Sequence, residues 1–324
     1  MQNVDIIVPC YNEAEVLNVF FKETSAIINK IENYNFNFIF IDDGSKDDTV
    51  KIIKKLADTN DNVKYVSFSR NFGKEAGMYA GLKYSSGEYV IIMDADLQHP
   101  PSLIPEMIKG IEEGYDCVAA KRTNRKGEAR IRSLFSNLFY KLSNKLTDIT
   151  LVQGAVDYRI MSRTMVDAVL SLSEAQRFSK GIFEWVGFKK KWIPYENVER
   201  TIGKTNWSFR GLFKYAIDGI TSFSVAPLKL VTGFGFFISV MAFIYIIITL
   251  IQTLVFGIKV PGYVTTLCAV LFLGGIIEFS IGVLGEYISN IFMETKKRPI
   301  YITRETNINM KGNTSNNEQN QKNN

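Results

Sequence analysis

The chain has 324 residues, 46% hydrophobic and 22% charged, with a formal net charge of +5. Its single histidine argues against a multi-histidine metal cluster or a Ser-His-Asp triad. Three widely spaced cysteines fit reduced structural thiols better than a disulfide framework or zinc site. The mild basic excess suits phosphate-rich or anionic-membrane partners and is not diagnostic of nucleic acid.

The chain runs into an apolar strand from Val4 without a basic-then-apolar leader, so no cleaved signal peptide is expected. Up to about residue 120 two periodicities alternate. Apolar runs at Asp5–Pro9, Phe36–Ile41, Val63–Phe68, Tyr89–Met93 and Cys117–Ala120 read as short buried strands. Helix-like segments lie between them, near 13–32, 47–58, 74–85 and 102–113. The alternation predicts βαβ units around a mainly parallel sheet, a doubly wound α/β domain. Ser45, Asp47 and Asp48 mark the start of the second helix, and Pro100-Pro101-Ser102 that of the fourth.

The strand ends carry the chemistry. The first ends Val8-Pro9-Cys10-Tyr11-Asn12-Glu13, the second Ile41-Asp42-Asp43-Gly44-Ser45, and the fourth Met93-Asp94-Ala95-Asp96-Leu97-Gln98-His99-Pro100. Alternate residues of an extended chain point to one side, so Asp94 and Asp96 can converge beyond the strand, where open α/β sheets bind ligands. Such a pair suits Mg²⁺ or Mn²⁺, which also takes substrate phosphate oxygens. Alone, Asp-Ala-Asp reads more readily as a solvated turn, and Asp42 or Asp43 more readily as a helix cap. Three polar strand ends on one rim are harder to explain structurally. Asp43 can accept from a ribose or base edge, and Gly44 permits close backbone approach. Arg70 and Lys74, after the third strand, add cations that meet phosphate or fix a carboxylate.

Beyond residue 121 the pattern changes. Ile131, Leu134, Phe135, Leu138, Phe139 and Leu142 have the spacing of an amphipathic helix, with Arg122, Arg125, Lys126, Arg130 and Arg132 crowding its leading end. A second such segment runs from Trp207 to Phe223, and both fit either a membrane interface or packing on the α/β domain. Leu230 to Ile251 is uncharged and long enough to span a bilayer, and Val260 to Gly285 carries only Glu278. The connection Phe256-Gly257-Ile258-Lys259 suits a helical hairpin. Glu278 is expected to face protein rather than lipid, or to serve as a helix contact. Lys214 and Lys229 before the pair, and Lys296-Lys297-Arg298 after it, put both long ends in the cytosol. From Thr306 the Asn- and Lys-rich tail reads as disordered and dispensable. The expected organisation is a catalytic domain over 1–205, an interfacial helix over 206–228, two spans within 229–290 (about 230–253 and 260–285), and a basic tail over 291–324.

The order PCYNE, IDDGS, SRNFGKEAG, MDADLQHPP resembles family 2 glycosyltransferases with the GT-A fold. The later runs RKGEARIRSLFSNLFYKLSNKLTD, GAVDYRIMSR and NVERTIGKTNWSF narrow the resemblance to polyprenyl-phosphate glycosyltransferases, the dolichyl-phosphate mannose synthases and bacterial undecaprenyl-phosphate enzymes. The paired spans match the bacterial branch. Coverage is about residues 4–304, and one motif departs, with Val156 and Tyr158 flanking a retained Asp157 and Arg159.

The resemblance implies a GT-A, Rossmann-like catalytic domain, an amphipathic juxtamembrane helix and a two-helix transmembrane hairpin. It implies that Pro9, Tyr11, Glu13 and Asp43 hold the nucleoside of the donor, with Lys74 and Asp94 also in the nucleotide-sugar site. Asp94, Asp96 and Gln98 would handle Mg²⁺ or Mn²⁺ and the diphosphate, with Asp96 the direct ligand. Asp96, Asp157 and Arg122 would be catalytic, and Arg125, Arg130, Arg132, Arg200 and Lys204 would meet the acceptor phosphate. His99, in a turn before Pro100, fits packing or capping better than ligation. Asp157 either positions the acceptor or its proton, or pairs with Arg159 or Arg163.

The activity implied is inverting, metal-dependent transfer from a UDP-sugar, glucose or N-acetylglucosamine favoured, to undecaprenyl phosphate at the cytosolic face of a bacterial plasma membrane. Its partners would be the UDP-sugar, the lipid phosphate and the bilayer, without nucleic acid, and by resemblance a homo-tetramer. Two alternatives stay open. One is a polysaccharide or glycolipid glycosyltransferase, though processive synthases usually have more spans and a Gln-x-x-Arg-Trp motif. The other is a non-catalytic membrane scaffold that keeps a nucleotide-binding domain.

Overall fold

Val4, Ile6, Ile7 and Val8 are fully buried, so strand β1 (Gln2–Cys10) has no solvent face. That is the mark of a strand covered on both sides by helices. The computed structural model describes residues 1–123, 140–141, 143–147, 149–172, 174–196, 219–256 and 262–309. Around β1 it arranges β2 (Tyr34–Asp42), β3 (Val63–Phe68), β4 (Tyr89–Ile92), β5 (Cys117–Arg122), β6 (Ala155–Ser162), β7 (Lys190–Tyr195) and β8 (Thr303–Thr306). The order across the sheet is β7-β5-β6-β4-β1-β2-β3-β8. The pairs β1–β2, β1–β4, β2–β3 and β5–β7 are parallel, whereas β6 runs antiparallel to β4 and β5, and β8 to β3.

Alternation along the strands separates two cores. Val4, Ile6, Val8, Phe38 and Phe40 face helices α1 (Leu17–Ile28), α2 (Thr49–Thr59) and α4 (Ile104–Glu112). Ile7, Ile39, Ile41, Val90 and Ile92 face α3 (Lys74–Tyr84) and the helices Arg163–Ser171 and Ser179–Trp185. α3 approaches β1 closely because it presents small residues: a Cβ on Gly81 would fall 2.1 Å from Ile7 Cγ2. This close seating brings the first residue of α3, Lys74, to the rim where the parallel strands end.

Several expectations need correction. Asp48 stands at the N-cap of α2 but makes no capping bond. Asp47 instead accepts from the Thr49 backbone N–H at 3.1 Å and from the Ala14 backbone N–H at 3.2 Å, tying the end of β1 to α2. The segment after the second long helix is not all disordered tail. It returns to the sheet as β8, because the N–H groups and carbonyls on the open edge of β3 need partners. There Tyr301 stacks on Phe68 with centroids 4.9 Å apart, Lys54 pairs with Glu305 at 2.7 Å, and the Asn307 side chain accepts from Tyr65 N–H at 2.8 Å.

Two helices, Ala226–Phe256 and Tyr263–Thr295, are long and apolar enough to cross a membrane, with their most apolar stretches at Ala226–Tyr245 and Phe272–Thr295. Phe236, Phe237 and Phe279 are well over half exposed, as lipid-facing side chains would be. Glu278 is also exposed, so a single chain does not supply the protein interior expected for it. Of the expected hairpin connection Phe256–Lys259, all but Phe256 lies outside the described residues, as do most of the amphipathic segments at 131–142 and 207–223.

Candidate active site

Because β1, β2, β3 and β4 run the same way, their C-terminal ends share one rim. The register sets Cys10 beside Asp42, and the Asp43 N–H donates to Cys10 O at 2.9 Å. Asn12, which carries no expectation from sequence, laces these ends together. Its N–H donates to Ser45 Oγ at 2.9 Å, and its side-chain oxygen accepts from Lys46 N–H at 2.8 Å. A backbone φ of 56° at Asn12 gives the sharp turn that makes this possible. Pro9, Tyr11 and Glu13 lie half-buried along this end of β1.

The two neighbouring acids after β2 have different fates. Asp42 is buried and occupied, accepting from Ser67 Oγ at 2.8 Å and Ser45 N–H at 3.1 Å. Asp43 accepts from the backbone N–H groups of Phe72 at 2.6 Å and Gly73 at 2.9 Å, which anchors the loop between β3 and α3. Burial pushes the Asp43 carboxyl up, against the pull of those two N–H groups. Gly44 is the reason the loop lies so close: at φ +67°, a Cβ there would sit 2.5 Å from the Arg70 carbonyl carbon. Arg70 itself folds over the Phe72 ring, 4.0 Å from its centroid.

The centre of the rim is charged. Antiparallel pairing of β4 with β6 sets Ile92 opposite Arg159, so continuing the register two residues places Asp94 opposite Asp157. Lys74 fills the space between them, with Nζ 2.8 Å from both oxygens of Asp94 and 2.7 Å from Asp157 Oδ2. The expected alternatives for Asp157, a pair with Arg159 or Arg163, are therefore replaced by Lys74. Arg159 is buried beneath, donating to the carbonyls of Val156 and Asp157 and stacked 4.0 Å from the Phe183 ring. Arg163 donates to Gly87 O and Ser85 Oγ. Burial alone would raise the Asp157 carboxyl. The Lys74 ammonium, with Lys180 and Arg159, outweighs burial and holds it well below the usual carboxylate range. Lys74 is in turn held well above its ordinary value, burial being outweighed by Asp157 and Asp94.

Asp96 is buried and accepts from the Gln98 N–H at 3.1 Å, across a tight turn in which Leu97 has φ 57°. A left-handed leucine is strained backbone, and here it closes the turn that lets the Gln98 N–H reach Asp96. Arg122, at the end of β5, donates from Nε to the Tyr195 hydroxyl at 3.1 Å and places Nη2 3.4 Å from Gln98 Oε1. Tyr195 also carries no expectation from sequence. His99 is 2% exposed, stacks on Tyr158 and accepts through Nδ1 from the Asp94 N–H at 3.1 Å, so it packs and caps.

Asp94, Asp96 and Gln98 form an oxygen-only donor set, the kind a hard divalent cation takes. Among the described residues no three His, Cys, Asp or Glu gather at one point. By the chemistry of their oxygens, Asp94, Asp96 and Gln98 suit a hard cation that also takes substrate phosphate oxygens and water. Arg125, Arg130, Arg132, Arg200 and Lys204 lie outside the described residues.

Residues 5–170 match the model of Glycosyl transferase family 2, and residues 226–291 that of the GtrB C-terminal hairpin. The chain is 51% identical to the putative glycosyltransferase CsbB of Bacillus subtilis (strain 168), over 94% of this chain and 92% of that protein. It is 41% identical to the SfII prophage-derived bactoprenol glucosyl transferase of Shigella flexneri, over 94% of this chain and 98% of that one. Glucosyl-3-phosphoglycerate synthase from Mycobacterium tuberculosis, crystallised with Mn²⁺, UDP-glucose and phosphoglyceric acid, aligns with 20% identity and a TM-score of 0.45, covering 68% of this chain and 78% of that chain.

Proposed function

This chain belongs to glycosyl transferase family 2, and from that premise we propose that it transfers a hexose or N-acetylhexosamine from a UDP-sugar to undecaprenyl phosphate at the cytosolic membrane face. The observation that carries this reading is the meeting of Asp94, Asp157, Lys74 and Arg122 on one rim of a domain that leads into two membrane-length helices. A polyprenyl chain leaves lipid at a cost of about 0.8 kcal/mol per methylene, so the protein must come to the membrane. The name of the Shigella flexneri relative, a bactoprenol glucosyl transferase, supports the acceptor and favours glucose.

The reaction asks for orientation and charge balance more than for a strong base. A phosphate oxygen of the acceptor is already anionic at neutral pH; it attacks the anomeric carbon as the bond to the nucleoside diphosphate breaks. In-line attack inverts the centre, giving a β-linked product from an α-linked donor. Asp157, held anionic, is a poor proton acceptor and serves here to orient. Arg122 stands braced by Tyr195, its guanidinium suited to grip a phosphate in two places. Arg125, Arg130, Arg132, Arg200 and Lys204 are assigned to the same acceptor phosphate. Pro9, Tyr11, Glu13 and the loop anchored by Asp43 form the nucleoside end. Asp94, Asp96 and Gln98 would hold Mg²⁺ or Mn²⁺, which when bound supplies positive charge for the departing diphosphate.

The test is full-length protein in lipid nanodiscs with a short polyprenyl phosphate and a panel of nucleotide sugars. UDP release with formation of a lipid monophosphate sugar is expected, and absence of lipid-linked sugar with every donor overturns the reading.

A further inference from the structure

Lys74 sits on Asp94, one of the oxygen donors assigned above to a divalent cation. Its ammonium is within 2.8 Å of both Asp94 oxygens and 2.7 Å from Asp157, joining three separate elements at one point. His99 also neighbours Asp94: its Nδ1 is 3.8 Å from Oδ2 and already accepts the Asp94 N–H. A divalent cation held by Asp96 and Gln98 together with Asp94 would share the Asp94 oxygens with this ammonium, at about 2.0–2.1 Å for Mg²⁺, against strong like-charge repulsion. The Lys74 side chain is 38% exposed, so it has a path out of the cleft on its flexible four-carbon stem.

We propose that Lys74 is a built-in counter-ion that neutralises Asp94 and Asp157 in the nucleotide-free enzyme and keeps a divalent cation out until a nucleoside diphosphate arrives. The proposal rests on the metal-dependent reading above. The incoming diphosphate supplies the negative charge that lets both cations share the cleft, and it gives the displaced ammonium phosphate oxygens to meet. Cation and nucleotide then bind with positive coupling, each tightening the other by the same factor. No bond is made or broken in this exchange; one ion pair replaces another.

The experiment measures Mn²⁺ binding to full-length protein in detergent by the electron paramagnetic resonance signal of the free ion, with and without UDP. UDP is expected to tighten Mn²⁺ on wild type by roughly tenfold or more. Lys74→Met should tighten nucleotide-free Mn²⁺ binding on the order of tenfold and shrink the UDP effect, while Lys74→Arg keeps the wild-type pattern. Lys180→Met removes a charge that bears on Asp157 without removing the Asp94 contact, and should change nucleotide-free binding by less than about threefold. Equal Mn²⁺ affinity of wild type with and without UDP overturns the proposal without recourse to any variant. So does nucleotide-free binding that is unchanged in Lys74→Met, or an arginine variant that behaves like the methionine one. If wild type binds no Mn²⁺ even with UDP yet still turns over donor in EDTA, the metal-dependent reading falls as well.

Discussion

Asp94, two residues beyond β4, and Asp157, on the antiparallel neighbour β6, share one ammonium, Lys74 Nζ, at 2.8 and 2.7 Å. Without that ammonium, two carboxylates at this separation would repel each other. Their side chains are 25% and 15% exposed, so the triad lines an open cleft rather than a sealed core.

The pH dependence of this triad follows from the direction of its shifts. Asp157 is depressed, so its contribution to stability is full above about pH 3.9 and is lost as pH falls through its lowered value. Lys74 is raised, so its contribution is full below about pH 10.4 and is lost as pH rises through its raised value. Between about pH 5 and 9 neither group titrates. The stability difference between wild type and Lys74→Met, worth about 1 kcal/mol after solvent screening, should therefore be largest toward pH 9 and narrow toward pH 5, because one of the two unneutralised carboxylates takes up a proton in the variant. A difference in thermal midpoint that widens as pH falls from 9 to 5 would contradict the assignment.

Asp157→Asn should lower kcat by roughly tenfold to a hundredfold, with little change in KM for the UDP-sugar. Any acid limb in kcat/KM near pH 6 belongs to the second ionisation of the acceptor phosphate and should persist in the variant. Loss of that limb would show Asp157 to be the titrating base.

Gly44→Ala pushes a methyl group into the Arg70 backbone at a φ that alanine disfavours. A loss of about 1–3 kcal/mol is expected, because neither backbone can yield without moving the other. The loop held by Asp43 would shift, so KM for the donor should rise more than kcat falls. Chemical denaturation and steady-state kinetics on the same preparation separate the two effects.

Truncation after Asn309 should leave stability and activity unchanged, whereas truncation after Arg298 removes β8 and Tyr301. Tyr301 packs on Phe68, which meets Phe72 edge-on at 5.8 Å, and the Phe72 N–H holds Asp43. The shorter truncation product should thus lose donor affinity as well as stability. Tyr301→Ala should cost about 1–3 kcal/mol and raise donor KM, and Tyr301→Phe should restore both.

Arg122→Lys should restore little of what Arg122→Ala loses, since a single ammonium cannot brace against the Tyr195 hydroxyl and grip a phosphate in two places at once. The measured quantity is KM for the short polyprenyl phosphate, expected to rise about tenfold or more in both variants.

Much of the fold was legible from sequence because strands and helices are local. The buried run Ile6–Val8, the alternation through Phe36–Ile41 and the two long apolar stretches each declare themselves within a few residues. The acidic rim was legible for the same reason, since Asp43, Asp94 and Asp96 sit at the ends of readable strands. β8 was not, because Thr303–Thr306 has little apolar content and is a strand only through the edge of β3 that it completes. Asn12 and Tyr195 escaped notice because each acts through hydrogen bonds to distant partners.

By itself, then, the sequence determined the βαβ alternation, the membrane-length helices and a rim rich in carboxylates. All are consequences of burial and backbone period within short windows. Which carboxylates face each other, and which cation joins them, was decided only by tertiary structure. Lys74 lies 20 residues from Asp94 and 83 from Asp157. Their meeting depends on β6 running against β4 and on small residues letting α3 sit close to β1, two facts of strand direction and packing that no local pattern encodes.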